Sequence, residues 1–259
     1  MKLGFIGAGN MAGAILLGGA HGANVYDVNA ETMRRREQEC GAVPFSSAEA
    51  LIRASDVILL AVKPNVAPGV LRENRAAFAG KAVISIVAGL TVATLKALLP
   101  AEARFLRVMP NTPLLVSEGA TAVTRGAHAT DEDLAYAKEL FACLGLACVV
   151  DEADMDAIGA VSGSGPAYVA ALIEALRDGG VAEGLDAELA EKLALQTVLG
   201  TARLMTETGR GAEETRIAVC SPGGTTLAAL AAMEEGGFTE SLKAGVAAAV
   251  VRSKELARC

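Results

Sequence analysis

Gly4-Phe5-Ile6-Gly7-Ala8-Gly9-Asn10-Met11-Ala12 is the segment from which the architecture can be read. Residues 2–6 form a short apolar run with strand character, and a helix-like stretch follows from about Asn10 to Gly19. Between them lies Gly7-x-Gly9-x-x-Ala12, in the strand-to-helix setting that a dinucleotide fingerprint requires. Gly7 permits a tight turn. Gly9 lets backbone approach a pyrophosphate, and Ala12 is small enough for close helix–sheet packing. The free N–H groups at the helix start can then hold the phosphate. An acidic residue, Asp27, stands twenty positions after Gly7, at the end of the next apolar run (residues 23–26).

The same alternation continues outward. Residues 30–39 are charged and helical, and Ser46 is placed to cap a helix through Ile52, with Glu49 at the capping-box position. Residues 56–62 (DVILLAV) and 82–87 are continuous apolar runs, which suit strands buried on both faces of a sheet. Residues 91–99 read as a helix after Gly89. Residues 104–109, 120–124 and 146–150 read as strands, and 131–144 as a helix with Thr130 as cap. Strands alternating with helices at this spacing predict a doubly wound α/β sheet over residues 1–154. From 155 to 259 no strand is expected. Ala/Leu/Glu-rich stretches at 167–183, 187–208, 213–219, 225–234 and 239–258 predict a helical domain instead. Its helices are apolar over wide arcs, which predicts a homo-oligomer, with a dimer formed through this half.

Composition narrows the function. The chain has 259 residues, 52% apolar, with no Trp and a formal charge of −7. That is enough to bury a core of Ala, Val, Leu and Ile, and the absence of a basic block argues against nucleic acid as a partner. Five cysteines (Cys40, Cys143, Cys148, Cys220, Cys259) include no C-x-x-C pair, which predicts no disulfide framework and no metal site, and fits a reducing, cytoplasmic compartment. The two histidines, His21 and His128, lie in no catalytic context. Residues 3–20 are uncharged and span-like in length, but six glycines interrupt them, so no membrane role is expected.

Four further features are candidates for chemistry. Asp27 suits the ribose hydroxyls of NAD and opposes the phosphate of NADP. Asn29, and an arginine among Arg34, Arg35 and Arg36, suit that phosphate instead, although at least two of the three arginines read as a solvated helix face. Ala61-Val62-Lys63-Pro64 ends a sheet strand, where open α/β sheets bind ligands; Lys63 reads equally well as a cofactor or substrate contact and as a surface lysine. Ser162-Gly163-Ser164-Gly165-Pro166-Ala167-Tyr168 reads as close helix packing at a junction. Cys220-Ser221-Pro222-Gly223-Gly224-Thr225-Thr226 lies between two helices, and its glycines can form a nest of N–H groups for a carboxylate or phosphate. Cys220 reads as a packing residue, since no base stands beside it.

Absent residues matter too. Ketone reduction usually needs a positioned proton donor such as His, Lys or Tyr. A cyclic imine needs less, because its nitrogen can be protonated before hydride arrives. A site that holds a carboxylate and offers a hydroxyl to the ring nitrogen is then sufficient.

Together GFIGAGNMA (4–12), AVKP (61–64), MPNTP (109–113), SGSGPAY (162–168) and CSPGGTT (220–226) resemble the pyrroline-5-carboxylate reductases, in order and over the whole chain. The resemblance implies a Rossmann-type domain, then an all-α dimerisation domain whose dimers can assemble into decamers. It implies hydride transfer from NADPH or NADH to the C=N bond of a small cyclic imine carboxylate, 1-pyrroline-5-carboxylate, giving L-proline. It places Ile6, Gly7, Ala8, Gly9, Asn10, Met11, Asn29, Ala61, Val62, Lys63, Pro64, Ile86, Val87 and Ala88 around the cofactor. It places the substrate carboxylate on the backbone of Gly223, Gly224 and Thr225 beside Ser221, the Thr226 hydroxyl on the ring nitrogen as the catalytic contact, and Glu152 near the substrate. Another imine or hydroxyacid-type reductase, and a non-catalytic NAD(P)-binding regulator, are the alternatives.

Overall fold

A computed structural model describes residues 1–257. Arg258 and Cys259, the ends of the last expected helix and of the cysteine set, lie outside them. Two compact units divide the chain: residues 1–164 with the chain from Ala249, and Gly165–Ala248.

The first unit is built on eight strands: β1 (Leu3–Ile6), β2 (Asn24–Tyr26), β3 (Val43–Pro44), β4 (Val57–Leu60), β5 (Ala82–Ser85), β6 (Arg104–Met109), β7 (Gly119–Arg125) and β8 (Gly145–Val149). Their order in the sheet is β3-β2-β1-β4-β5-β6-β7-β8. The intervening helices are α1 (Asn10–Gly19), α2 (Ala30–Cys40), α3 (Ala48–Ala54), α4 (Ala67–Glu73), α5 (Val92–Leu98), α6 (Asp131–Ala142) and α7 (Met155–Ile158). The side chains of β1 and β4 alternate between two cores. Phe5, Val57 and Leu59 pack with Ile15, Leu16 and Phe141. Ile6, Ile58 and Leu60 pack with Leu51, Phe78 and Phe105. Burial on both faces explains why these strands read as unbroken apolar runs.

Four details depart from the sequence reading. α4, with Pro68 in its first turn, was not expected. β3 is only two residues long, too short to leave a pattern, and was not expected. β7 runs antiparallel to β6, because residues 110–118 are shorter than the dozen or so needed for a parallel crossover. Ser47, not Ser46, caps α3, accepting from the Ala50 N–H at 3.1 Å. The helix starts one residue later than expected. Glu49 therefore leaves the capping-box position and pairs with Arg53 four residues on, at 2.6 Å.

Thr130 does cap α6, in a reciprocal box with Asp133. Asp133 also grips Arg104 of β6 through two bonds, 2.8 and 3.2 Å long, which ties the helix start to the sheet. Burial alone would raise the Asp133 carboxyl, but the bonds from Arg104 and Thr130 outweigh it and hold the group below its usual range.

The second unit contains α8 (Gly165–Ala182), α9 (Ala187–Thr208), α10 (Ala212–Ala218), α11 (Thr225–Glu235) and the start of α12 (Phe238–Leu256). Among its described residues, α8 and α11 bury no side chain within one chain, and α9 buries only Ala190 and Ala194. Leu176, Leu189, Leu193, Leu195 and Leu199 stay exposed. No described helix is long and apolar enough to cross a membrane.

Asp133→Asn should lower stability by about 2 kcal/mol at neutral pH, since it removes a buried charge-assisted pair. Because the folded carboxyl titrates below the unfolded value of about 3.9, its contribution is complete above that value and fades as pH falls through the folded one. The gap between wild type and variant in urea midpoint should therefore be wide at pH 7 and narrow at pH 3.

Candidate active site

The strand order reverses between β1 and β4, and the carboxyl ends of these two strands define the crevice where open α/β sheets take ligands. Ile6 and Leu60 are register partners, and the Ala61 N–H donates to the Ile6 carbonyl at 2.9 Å. The Gly7 loop and Ala61-Val62-Lys63-Pro64 therefore leave the sheet side by side. The Ile86 N–H bonds the Leu60 carbonyl at 3.1 Å, so the chain after β5 joins the same edge. Val87 points into the core and can offer only backbone, while Ala88 is exposed.

Gly7 sits at φ +96°, and a Cβ on it would stand 2.5 Å from the Ala61 carbonyl oxygen. Gly9 is different: a Cβ there would meet nothing within 4 Å. Gly9 is also the N-cap of α1, and no side chain caps the helix. The first turn of α1 carries no acidic residue, so its first N–H groups stay available to an anion from outside. These features fit a dinucleotide pyrophosphate.

Asp27 is not a free carboxylate. One oxygen accepts from the Ala8 N–H and the other from the Asn29 N–H, both at 2.8 Å. The Asn29 side-chain oxygen caps α2 through Glu31 and Thr32. Arg34 and Arg35 face solvent, with Asn29, Glu31, Thr32 and Gln38 lining a concavity beside them. Arg36 is turned inward and is 5% exposed.

Glu152 sits in a setting that its position alone did not reveal. Its Oε1 accepts from the Val92 N–H at the start of α5 (2.6 Å) and from Arg107 of β6 (3.2 Å). Arg107, 9% exposed, was not singled out from the sequence, because nothing in a strand's pattern announces a partner 45 residues away. Beyond Glu152 the chain widens into a π-turn at Gly159–Gly163. Asn111 of the MPNTP segment holds it, donating to the Ser162 carbonyl at 3.0 Å. A Cβ on Gly163 would lie 2.7 Å from the Met109 methyl, so this glycine serves close packing.

In the second unit, Ser221-Pro222-Gly223-Gly224 forms a β-turn, closed by the Gly224 N–H on the Ser221 carbonyl at 2.9 Å. Pro222 supplies the fixed φ of its first central residue and Gly223, at φ +69°, the second. Gly224 then caps α11 with no side-chain cap and no acid in the first turn. The turn is exposed, Thr226 is half-buried, and N–H groups of the first turn remain open. Cys220 bonds the Arg216 carbonyl through sulfur at 3.1 Å, as a packed thiol does.

Comparison with known proteins fits this layout. Residues 152–256 match the family model for pyrroline-5-carboxylate reductase dimerisation, and residues 2–89 that for NADP oxidoreductase, coenzyme F420-dependent. The chain is 43% identical to the pyrroline-5-carboxylate reductase of Synechocystis, covering 100% of this chain and 99% of that one. This chain belongs to the pyrroline-5-carboxylate reductase family. The Arabidopsis thaliana member is 40% identical over 99% of this chain and 96% of its own length. Among solved members, that of Coxiella burnetii superposes with a TM-score of 0.93 at 34% identity, covering 98% of each chain. The Plasmodium falciparum pyrroline carboxylate reductase, solved with NADP bound, gives 0.88 at 33% identity, covering 99% of this chain and 98% of that one.

The two loop glycines should fail differently. Gly9→Ser adds its Cβ to open space at an N-cap position that serine suits, so its melting temperature should stay close to wild type while NADPH binding weakens at least tenfold. Gly7→Ala should lower the melting temperature itself. Scanning fluorimetry beside a binding titration separates the two.

Proposed function

We propose that the chain reduces the C=N bond of 1-pyrroline-5-carboxylate to L-proline, the last step of proline biosynthesis. NADPH or NADH supplies the hydride when bound. The observation that carries this reading is a pair of uncapped helix starts, at α1 and α11. Each follows a turn with a glycine at positive φ, Gly7 and Gly223, and no acidic residue lies in either first turn. The loop from Ile6 to Met11 takes the pyrophosphate, with Asn29, Ala61 to Pro64 and Ile86 to Ala88 around the rest of the cofactor.

The turn at Ser221 to Thr225 takes the smaller anion. Backbone N–H groups of Gly223 and Thr225 hold the substrate carboxylate, which orients the ring; the Gly224 N–H, expected to join them, is taken by the Ser221 carbonyl and shapes the turn instead. The Thr226 hydroxyl bonds the ring nitrogen and stays with it as the nitrogen becomes a secondary amine. This contact can replace a strong acid, because the imine nitrogen enters already protonated. Glu152 holds α5 against β6 through its Oε1, which accepts from Val92 N–H and Arg107, and its second oxygen faces the substrate in this reading.

The exposed leucines of α8 and α9 favour a dimer formed through the helical unit, and the same reading extends to decamers of such dimers. Cys40, Cys143, Cys148 and Cys220 are free thiols, which suits a cytoplasmic location.

Oxidation of NADPH and NADH, followed in parallel by loss of near-ultraviolet absorbance with racemic 1-pyrroline-5-carboxylate, tests the activity. Saturable oxidation with stoichiometric proline is expected; none with either cofactor would overturn it. Thr226→Ala should lower kcat by about ten- to a hundredfold, the scale of one lost hydrogen bond to a charged group. Its NADPH affinity should be unchanged. An unaltered kcat would remove the hydroxyl from the mechanism.

A further inference from the structure

Arg36 is the most deeply buried arginine of the chain's Arg34-Arg35-Arg36 run, and all three of its guanidinium nitrogens are used. Nε donates to the Ala8 carbonyl at 3.1 Å, and Nη2 to the Gly9 carbonyl at 3.0 Å. Nη1 meets Glu39 at 2.6 Å. We propose that Arg36 is a positioning residue for the dinucleotide, holding the peptide planes of the glycine loop so that their N–H groups face the phosphates. This inference rests on the reading of residues 6–11 as the pyrophosphate loop.

The geometry of a trans peptide carries the step. Its C=O and N–H point in opposite directions. The Ala8 carbonyl shares a peptide with the Gly9 N–H, and the Gly9 carbonyl shares one with the Asn10 N–H. Drawing both carbonyls onto Arg36 therefore turns both N–H groups the other way. Gly9 and Asn10 are exposed on that side, and a Cβ on Gly9 would find open space there. Asp27 fixes the preceding peptide by accepting the Ala8 N–H. Two side chains of opposite charge thus set the Gly7–Ala8 and Ala8–Gly9 planes, in a segment whose two glycines would otherwise leave it mobile. The Gly9–Asn10 plane is shared between Arg36 and the helix itself, whose Gly13 N–H also bonds the Gly9 carbonyl at 2.8 Å.

The helix beneath is shaped to admit the guanidinium. A Cβ on Gly13 would lie 2.1 Å from the Arg36 Cζ, so Gly13, inside α1, clears the path of the side chain. Only a planar fork reaches two successive carbonyls and a carboxylate at once; a lysine ammonium keeps the charge without the fork. The same geometry takes Arg36 out of the group that can meet a 2′-phosphate, leaving that role to the exposed Arg34 and Arg35 with Asn29.

The test measures direct binding of NADPH and NADH, melting temperature, and kcat at saturating cofactor for wild type, Arg36→Met, Arg36→Lys and the double variant Arg36→Leu/Gly13→Ala. Arg36→Met should raise Kd for both cofactors at least tenfold while kcat at saturation stays within about threefold. Arg36→Lys should recover part of the affinity. The double variant refills the vacated space, so it should regain melting temperature without regaining affinity. Wild-type affinity in a folded Arg36→Met protein would overturn the proposal. So would a double variant that recovers affinity together with stability, since packing alone would then explain both. Failure of wild type to bind either cofactor would instead overturn the pyrophosphate reading beneath it, and the proposal with it.

Discussion

Everything on the ligand side of the sheet depends on how closely β1 and β4 come together at their carboxyl ends. The register that pairs Ile6 with Leu60 brings Gly7 within a Cβ's reach of the Ala61 carbonyl. Only a residue without a side chain, in a backbone conformation that L-residues avoid, can leave the strand there. That one contact turns the chain into the α1 start and also brings the AVKP segment alongside it. The two alternating cores, one on each face, hold the strands at that separation. A core substitution that shifted β1 along β4 would misplace the loop before it unfolded the domain.

The α1 and α11 starts use one physical device in different surroundings. Both are helix starts whose N–H groups are left without partners of their own chain. The α1 start is braced from beneath by Asp27 and Arg36, which bond the Ala8 N–H and the Ala8 and Gly9 carbonyls. The α11 start is a Pro-Gly turn on an exposed surface, with no ionisable side chain except the Cys220 thiol between Cys220 and Thr226. Such a turn suits a small carboxylate whose remaining contacts come from elsewhere.

Much of this was legible in the chain. Positive-φ glycines, a proline at a helix entry and apolar runs without alternation each answer to a local constraint, so they mark the sequence directly. The fingerprint, the β4 and β5 runs and the CSPGGTT turn are of this kind. What was hidden involves partners distant in sequence. The charge run at Arg34-Arg35-Arg36 looks uniform, yet one member turns inward, and only the room left at Gly13 could have hinted at which. Glu152 was attached to the substrate by resemblance, while its partners, Arg107 and the Val92 N–H, are visible only once the sheet is assembled. The antiparallel β7 was written in the short 110–118 link, but link length is easily passed over beside stronger strand signals.

The Gly13–Arg36 fit also constrains how this loop can change over evolutionary time. Bulk gained at position 13 while the arginine remains would collide with the guanidinium, and an arginine lost first would leave a void and release two carbonyls. Each single step is unfavourable, although the pair exchanged together is tolerable. Asp27 adds a second entanglement, because the acid that closes β2 also anchors Ala8 and Asn29. A lineage that trades one cofactor for the other at this position must therefore repair its loop as it does so, and the three positions are expected to vary as a set.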